Sequence, residues 1–273
     1  MPTVVLQKLH GLGNDFLVCD MAQPLPRISW DVLARRWCHR TRGVGADGLL
    51  LLSWDLHAPD RLAMGLHNAD GSRAVMSGNG VRCLAHAAYR AQERRGPVTY
   101  QVATEAGVRE IEVTPGDDRR TAFASVDMGE ITTIDAPAAW PAVGADPARP
   151  VTHVGLGNPH TVVGVEDVHD LDLAAIGAVL PDVNLEVVAD GPEPDAITMR
   201  VHERGVGVTE ACGTGACAAA WAAARWGLVA APSGEITVHM DGGDAKVLLD
   251  SPVAGHVTLV GPSVHVATVY VEA

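Results

Sequence analysis

Two stretches of this chain share one design. Met76-Ser77-Gly78-Asn79-Gly80-Val81-Arg82-Cys83 runs into LAHAAYRAQER, and Cys212-Gly213-Thr214-Gly215-Ala216-Cys217 runs into an alanine series. In each, a small polar residue precedes a glycine pair and an alanine-containing segment. Alanine is the best helix former and glycine a poor one, so the pattern predicts helices starting near Gly213–Gly215 and over Val81 to about Arg94. A helix start leaves backbone N–H groups unpaired at the positive end of the dipole, which binds anions and lowers a thiol's pKa. The two stretches lie about 135 residues apart, which argues for an internal duplication. Two helix starts facing one another would hold one substrate between Ser77 and Cys212, an arrangement suited to chemistry on two faces of one carbon.

Around these helices the chain reads as many short strands. Thr3–His10, Phe16–Asp20, Leu49–Ser53 and Arg61–His67 precede the first helix, and Val98–Thr104 with Val108–Val113 form a hairpin after it. Ser29 is a candidate N-cap for a helix running to His39. The turn-rich Pro115-Gly116-Asp117-Asp118-Arg119-Arg120 marks the expected boundary. Beyond it come strands at Thr121–Asp127, Val151–Gly155, Thr161–Val165, Leu185–Ala189 and Ile197–His202, with a helix over Leu171–Val179. A hairpin at Ile236–Met240 and Ala245–Leu249 follows, then two final strands, Val257–Val260 and Val264–Val271. One buried helix per half among many strands predicts an α+β fold of two lobes.

Composition excludes several classes. With 20 Lys+Arg against 33 Asp+Glu the formal charge is −13, and no basic run offsets it, so nucleic acid is not an expected partner. The longest small-apolar run, Gly215 to Ala224, is too short to span a bilayer, so a cytoplasmic protein without a membrane segment is expected. Five cysteines without paired C-x-x-C spacing argue against a disulfide framework or a structural metal site. The loop Gly43-Val44-Gly45-Ala46-Asp47-Gly48 lacks the G-K-[ST] of a phosphate loop, and no nucleotide cofactor is inferred.

Chemistry-bearing residues have bland readings beside the sharp ones. Cys83 and Cys217, inside helices, read as buried packing residues. Cys212, at a helix start beside small polar residues, reads equally as packing or as a reactive thiol. Glu203-Arg204 is either a surface ion pair or, through the guanidinium fork, a carboxylate clamp. His160 by itself is a structural histidine. Asn14, Asn68, Asn79, Asn158 and Asn184 are singly turn or strand-end residues; together they suggest neutral donors and acceptors gathered around a zwitterion.

Six motifs carry a resemblance: HGLGNDF (10–16), GVGADG (43–48), NADGS-x4-SGNGVRC (68–83), GNPH (157–160), LPDVN (180–184) and ERGVGVTEACGTGACA (203–218). In this order, over nearly the whole chain, they resemble the diaminopimelate epimerases. The resemblance implies two pseudo-symmetric lobes, each a barrel-like sheet around a central helix, with the active site between them. The last strands return to the first lobe, giving residues 1–120 plus 263–273 as one lobe and 121–262 as the other. It also implies a pyridoxal-independent isomerase, needing no cofactor, that interconverts LL- and meso-2,6-diaminopimelate for lysine and peptidoglycan synthesis, as a homodimer. Cys212 matches one catalytic base. Where the family has the other catalytic cysteine, this chain has Ser77. Substrate contacts carry over to Asn14, Asn68, Gly78, Asn79, Asn158, Asn184, Glu203, Arg204, Gly213 and Thr214, with His160 beside the site. A serine hydroxyl is far less acidic than a thiol of pKa about 8.5, so Ser77 is a poor base that can still donate a proton. Three readings follow: an epimerase of reduced turnover, a diverged racemase or dehydratase acting on another amino acid, or a non-catalytic amino-acid-binding homologue.

Overall fold

The computed structural model describes residues 3–230 and 233–272. In chain order its elements are β1 (Thr3–Gly11), β2 (Asn14–Asp20), α1 (Trp30–Trp37), β3 (Gly48–Trp54), β4 (Arg61–Asn68), α2 (Gly78–Ala91), β5 (Val98–Thr104), β6 (Gly107–Pro115) and β7 (Thr121–Glu130). They continue as β8 (Thr132–Thr133), α3 (Trp140–Val143), β9 (Val151–Gly155), β10 (Pro159–Gly164), α4 (Leu173–Val179), β11 (Asn184–Asp190), β12 (Ala196–Glu203) and β13 (Gly207–Thr209). The last are α5 (Gly213–Trp226), β14 (Glu235–Met240), β15 (Gly243–Leu249) and β16 (His256–Glu272). Two compact units result, Met1–Val126 with Gly261–Ala273, and Asp127–Val260. Residues 1, 2 and 273, which end the lobe assigned from the sequence, lie outside the described residues.

In the first unit the strands follow one another from β1 to β7, next to β16, and β16 pairs back onto β1, so the sheet closes. Closure leaves few free edges and an enclosed interior. That interior is filled by α2, which packs against β1 to β6. Every residue from Gly78 to Tyr89 is buried, which explains why this helix shows no polar face. Outside, α1 lays Leu33, Ala34 and Trp37 over Leu6, Leu17, Leu49 and Leu51 of the strands. Each such buried leucine contributes about 1.5–3 kcal/mol of transfer free energy.

The second unit repeats the plan. Strands run in the order β15, β14, β12, β11, β10, β9, β8, with β13 on β12 and the start of β16 on β15. The alanine-rich α5 packs against β9 to β12, β14 and β15. Its small side chains let the strands approach closely on all sides. An outer helix, α4, is capped by Asp172, whose side chain accepts the Ala175 N–H at 3.0 Å. Leu173 at its start and Leu180 just beyond its end join Val163, Leu185 and Val187 in one cluster.

Some local expectations are corrected. The first central helix begins at Gly78, three residues before Val81, because Ser77 caps it by accepting the Gly80 N–H. It ends at Ala91, and Glu93 takes a positive φ of 52°. Ser29 precedes α1 but its side chain makes no cap bond. The two expected C-terminal strands are one, β16, running through Gly261-Pro262. Gly261 is required there, since a Cβ at that position would collide with the Arg82 guanidinium. Among the described residues no helix is long and apolar enough to cross a membrane.

Candidate active site

Both central helices start in the same way. Ser77 and Cys212 are their N-caps, both extended, at φ −143°, ψ 122° and φ −129°, ψ 116°. Ser77 Oγ accepts the Gly80 N–H at 3.0 Å, and Cys212 Sγ accepts the Gly215 N–H at 3.4 Å. The sequence repeat is therefore a repeat of geometry: each side chain is locked over its first helical turn by the amide three residues on.

In the first unit a hydrogen-bonded chain of side chains starts at Asn79, two residues beyond Ser77. Asn79 Nδ2 donates to Asn14 Oδ1 at 3.2 Å, and Asn79 Oδ1 accepts from Arg82 Nη2 at 2.5 Å. Asn14 in turn donates through Nδ2 to Asp47 Oδ2 at 2.8 Å. Asn68 closes β4, gives its Nδ2 to Ser72 Oγ at 3.0 Å, and is followed by Ala69, whose N–H reaches Asp47 O at 2.9 Å. Gly78 is the first, buried residue of α2. Asp47 thus ties Asn14 to the Asn68 turn. It is itself held by Arg40 at 2.6 Å, and Arg40 also binds Asp15.

In the second unit the expected residues converge on Cys212. His160 and Asn184 are register partners on β10 and β11. Asn184 Oδ1 accepts the Arg204 N–H at 2.9 Å. His160 Nε2 lies 2.9 Å from Asn158 Oδ1, Asn158 Nδ2 donates to Thr214 Oγ1 at 3.4 Å, and Thr214 Oγ1 lies 3.5 Å from Cys212 Sγ. Gly213 is the first, buried residue of α5. Glu203 accepts a hydrogen bond from Thr209 at 2.6 Å. The Arg204 side chain is exposed.

The electrostatics overturn one expectation. The helix start does not leave Cys212 acidic: burial pushes its thiol well above the ordinary range, and the charges of Glu203 and Glu186 push it further. Hydrogen bonds from Thr214 and Gly215 oppose this without reversing it. At 5 % exposure the sulfur has lost its water, and that loss outweighs the dipole. Burial also raises the Glu203 carboxyl, with hydrogen bonds from Thr209 and Cys212 opposing. Cys83, pushed up to about 11, and Cys217 are fully buried in their helices, as packing residues would be.

Sequence reasoning missed Glu186, Asp47 and Thr209. Glu186 had a signal: it is a carboxylate within NLEVVA, whose six residues are all buried. A charge in the middle of such a strand needs a partner, and its Oε1 lies 2.7 Å from His160 Nδ1. Asp47 stood within a quoted motif but read as a turn residue.

Comparison with known proteins agrees with the fold of strand-wrapped helices. A family model described as diaminopimelate epimerase matches residues 6–134 and 152–266. The diaminopimelate epimerase of Moorella thermoacetica is 39% identical over 277 residues, covering 95% of this chain and 96% of that protein. That of Thermosynechococcus vestitus is 38% identical over 284 residues, again covering 95% and 96%. Among solved structures, a hydroxyproline epimerase from Agrobacterium vitis, with trans-4-hydroxy-L-proline bound, shares the fold at a TM-score of 0.70. It is 16% identical, with 98% of this chain and 92% of that one covered. A Bacillus anthracis phenazine biosynthesis protein of the PhzF family shares it at 0.72 and 14% identity, with 100% of both chains covered. Matched over nearly its whole length at this identity, the chain belongs to the diaminopimelate epimerase family of isomerases.

Proposed function

We propose that this enzyme interconverts LL- and meso-2,6-diaminopimelate without a cofactor, with Cys212 as one base and Ser77 at the other position. The observation that carries the reading is the matched pair of N-caps, each a potential proton carrier pinned over a helix start. Removing an α-proton from an amino acid leaves a poorly stabilised carbanion. Helix-start amides offer preorganised donors for the carboxylate as it takes on enediolate character.

The roles are unequal. Cys212 rests as a thiol, because burial and the neighbouring carboxylates disfavour its anion. It becomes a base when its proton passes to Glu203, whose own carboxyl is raised by the same burial. Ser77 Oγ already accepts the Gly80 N–H, so its hydrogen is free to be given to carbon, but it takes a proton poorly. The Arg204 guanidinium, without a hydrogen-bond or ion-pair partner among the described residues, serves as the clamp for the substrate's distal carboxylate. The asparagines Asn14, Asn68, Asn79, Asn158 and Asn184 contact the zwitterion.

The same reading includes a homodimer. It is supported by the exposed cross-strand pair Val5 and Tyr270, at 37% and 73% exposure on β1 and β16. Sedimentation of the parent and of Tyr270→Glu tests it: a dimer that becomes a monomer agrees, and a monomeric parent does not.

The activity is tested by incubating the purified protein with LL-diaminopimelate, no pyridoxal phosphate added, and separating the stereoisomers. Appearance of the meso form, abolished in Cys212→Ala, supports the reading. No meso form at any enzyme concentration, or undiminished conversion by Cys212→Ala, contradicts it.

A further inference from the structure

Arg82 is the largest side chain that the fold buries completely. A fully buried arginine is kept where its donors are used, because taking its charge out of water costs free energy. Packing alone does not call for it. Five residues after its cap, the second central helix has Cys217 at the matching place, also fully buried, and there a small side chain suffices. In the first unit the strands are instead shaped around the guanidinium. A Cβ on Gly261 would overlap Arg82 Nη1, and a Cβ on Gly11 would stand 3.2 Å from Nη2 and 3.5 Å from the Asn79 Cβ.

The hydrogen bonds give the guanidinium a use. Nη2 donates to Asn79 Oδ1 at 2.5 Å, Asn79 Nδ2 donates to Asn14 Oδ1 at 3.2 Å, and Asn14 Nδ2 donates to Asp47 Oδ2 at 2.8 Å. An asparagine amide fits such a series facing either way, so the direction is set at the ends. Here both ends are one-sided. A guanidinium only donates, and Asp47, ion-paired with Arg40, accepts the Asp15 N–H on the same Oδ2 at 3.0 Å. Turning Asn79 over would set its N–H₂ against Nη2, donor against donor, and its oxygen against that of Asn14. The two ends agree on one direction, but they hold different members. Asn14 is held by Asp47, whereas its bond to Asn79 is the longest of the three, so the Asn79 amide depends on Arg82.

The second unit makes the same join without an arginine. Two residues after the cap, where the first helix has Asn79, it has Thr214, whose Oγ1 accepts from Asn158 Nδ2 at 3.4 Å. A hydroxyl rotates to suit its partners, whereas an amide has a right and a wrong face and must be fixed. That difference explains why one repeat carries a buried guanidinium and the other a cysteine.

We infer that Arg82 is a positioning residue: it fixes the Asn79 amide so that its N–H₂ faces Asn14, and through that bond it steadies Asn14. Having no exposed surface, Arg82 reaches a ligand only through Asn79. The inference deepens the epimerase reading, and its consequence for binding rests on that reading, in which Asn14 and Asn79 meet the substrate. The direction of the hydrogen bonds does not.

Two measurements test it. Neutron diffraction from a deuterium-exchanged crystal of the parent, without ligand, locates the amide hydrogens. The Asn79 deuterons must lie on the nitrogen facing Asn14, and those of Asn14 on the nitrogen facing Asp47. An Asn79 nitrogen facing Arg82 overturns the inference. In Arg82→Met, which removes the donor, the Asn79 amide should lose its single orientation, and an amide that stays as in the parent overturns the positioning role.

The second measurement is diaminopimelate binding by calorimetry, in a double-mutant cycle of Arg82→Met and Asn79→Ala. Arg82→Met should weaken binding about tenfold in the parent, but less than about twofold once Asn79 is replaced. A guanidinium that acts on the ligand as a buried charge, or on the fold as a whole, weakens binding equally in both backgrounds. That result overturns the inference, as does unchanged affinity in Arg82→Met. Should Arg82→Met not fold, Arg82→Lys takes its place in both measurements: it keeps the buried cation, but its ammonium ends one bond short of Nη2, and the same outcomes decide. Should the parent not bind diaminopimelate, the epimerase reading fails, and the neutron positions still decide the inference.

Discussion

Arg40 Nη2 donates to Asp15 Oδ1 at 2.8 Å while Lys8 Nζ stands 2.9 Å from Asp15 Oδ2, so one nearly buried carboxylate is clamped between two cations. Burial raises the Asp15 carboxyl, but the hydrogen bonds and charges of Arg40 and Lys8 outweigh it and hold the group below the usual range. A depressed carboxylate gives stability that is present above its unfolded pKa and lost as pH falls through the folded value. Asp15→Asn should therefore cost about 2 kcal/mol at neutral pH, and the difference should shrink in acid. Urea midpoints at the two pH values check this, and an equal loss at both contradicts it.

Glu203 gives the opposite sign. Burial raises its carboxyl, with Thr209 and Cys212 opposing. A raised group contributes stability that is full below its unfolded pKa and lost as pH rises through the folded value. Glu203→Gln should thus be more stable than the parent at neutral pH, with the gain vanishing in acid. The same change should lower the Cys212 ionisation midpoint, because a negative charge beside the thiol has gone. Denaturant titration and thiolate absorbance measure the two effects. A variant that is destabilised at neutral pH, or a midpoint that rises, contradicts the account of this pair.

On the proposed reading Arg204 meets the substrate's carboxylate. Its backbone N–H is anchored to Asn184 Oδ1 at 2.9 Å, while the side chain is exposed at the end of β12. A planar fork binds a carboxylate through two parallel bonds, which a lysine's point charge does not reproduce. Arg204→Lys should weaken diaminopimelate binding about tenfold by calorimetry. Unchanged affinity removes Arg204 from the clamp.

Much of this architecture was legible from residue types. The alanine runs after Ser77 and Cys212 located both central helices, and period-two alternation located most strands. What escaped had physical reasons. The break expected at Gly261-Pro262 does not occur, because β16 carries Val257–Val260 onto β15 and Val264–Glu272 onto β1 in one strand. Local propensity cannot register pairings of that range. Within the site, motifs and chemistry led to Cys212, Thr214, Asn158 and His160, which the fold joins in one hydrogen-bonded series. The raised Cys212 thiol is not legible in sequence because a helix start is visible there, whereas the burial around its sulfur is not. Glu186 was passed over among apolar strand neighbours for the same reason: its partner lies 26 residues away.

The central claim is that a thiol serves one face of the substrate carbon and a hydroxyl the other. The most direct measurement is α-proton exchange in heavy water, followed separately for LL- and meso-diaminopimelate, in the parent and in Ser77→Cys. In the parent, the isomer presenting its α-hydrogen to Cys212 should exchange faster than it epimerises, since the proton tends to return from the side it left, and the other isomer should be nearly inert. Ser77→Cys should raise epimerisation in both directions, because the second face regains a group of suitable pKa. Equal exchange from both isomers in the parent, or no gain from Ser77→Cys, would contradict the account.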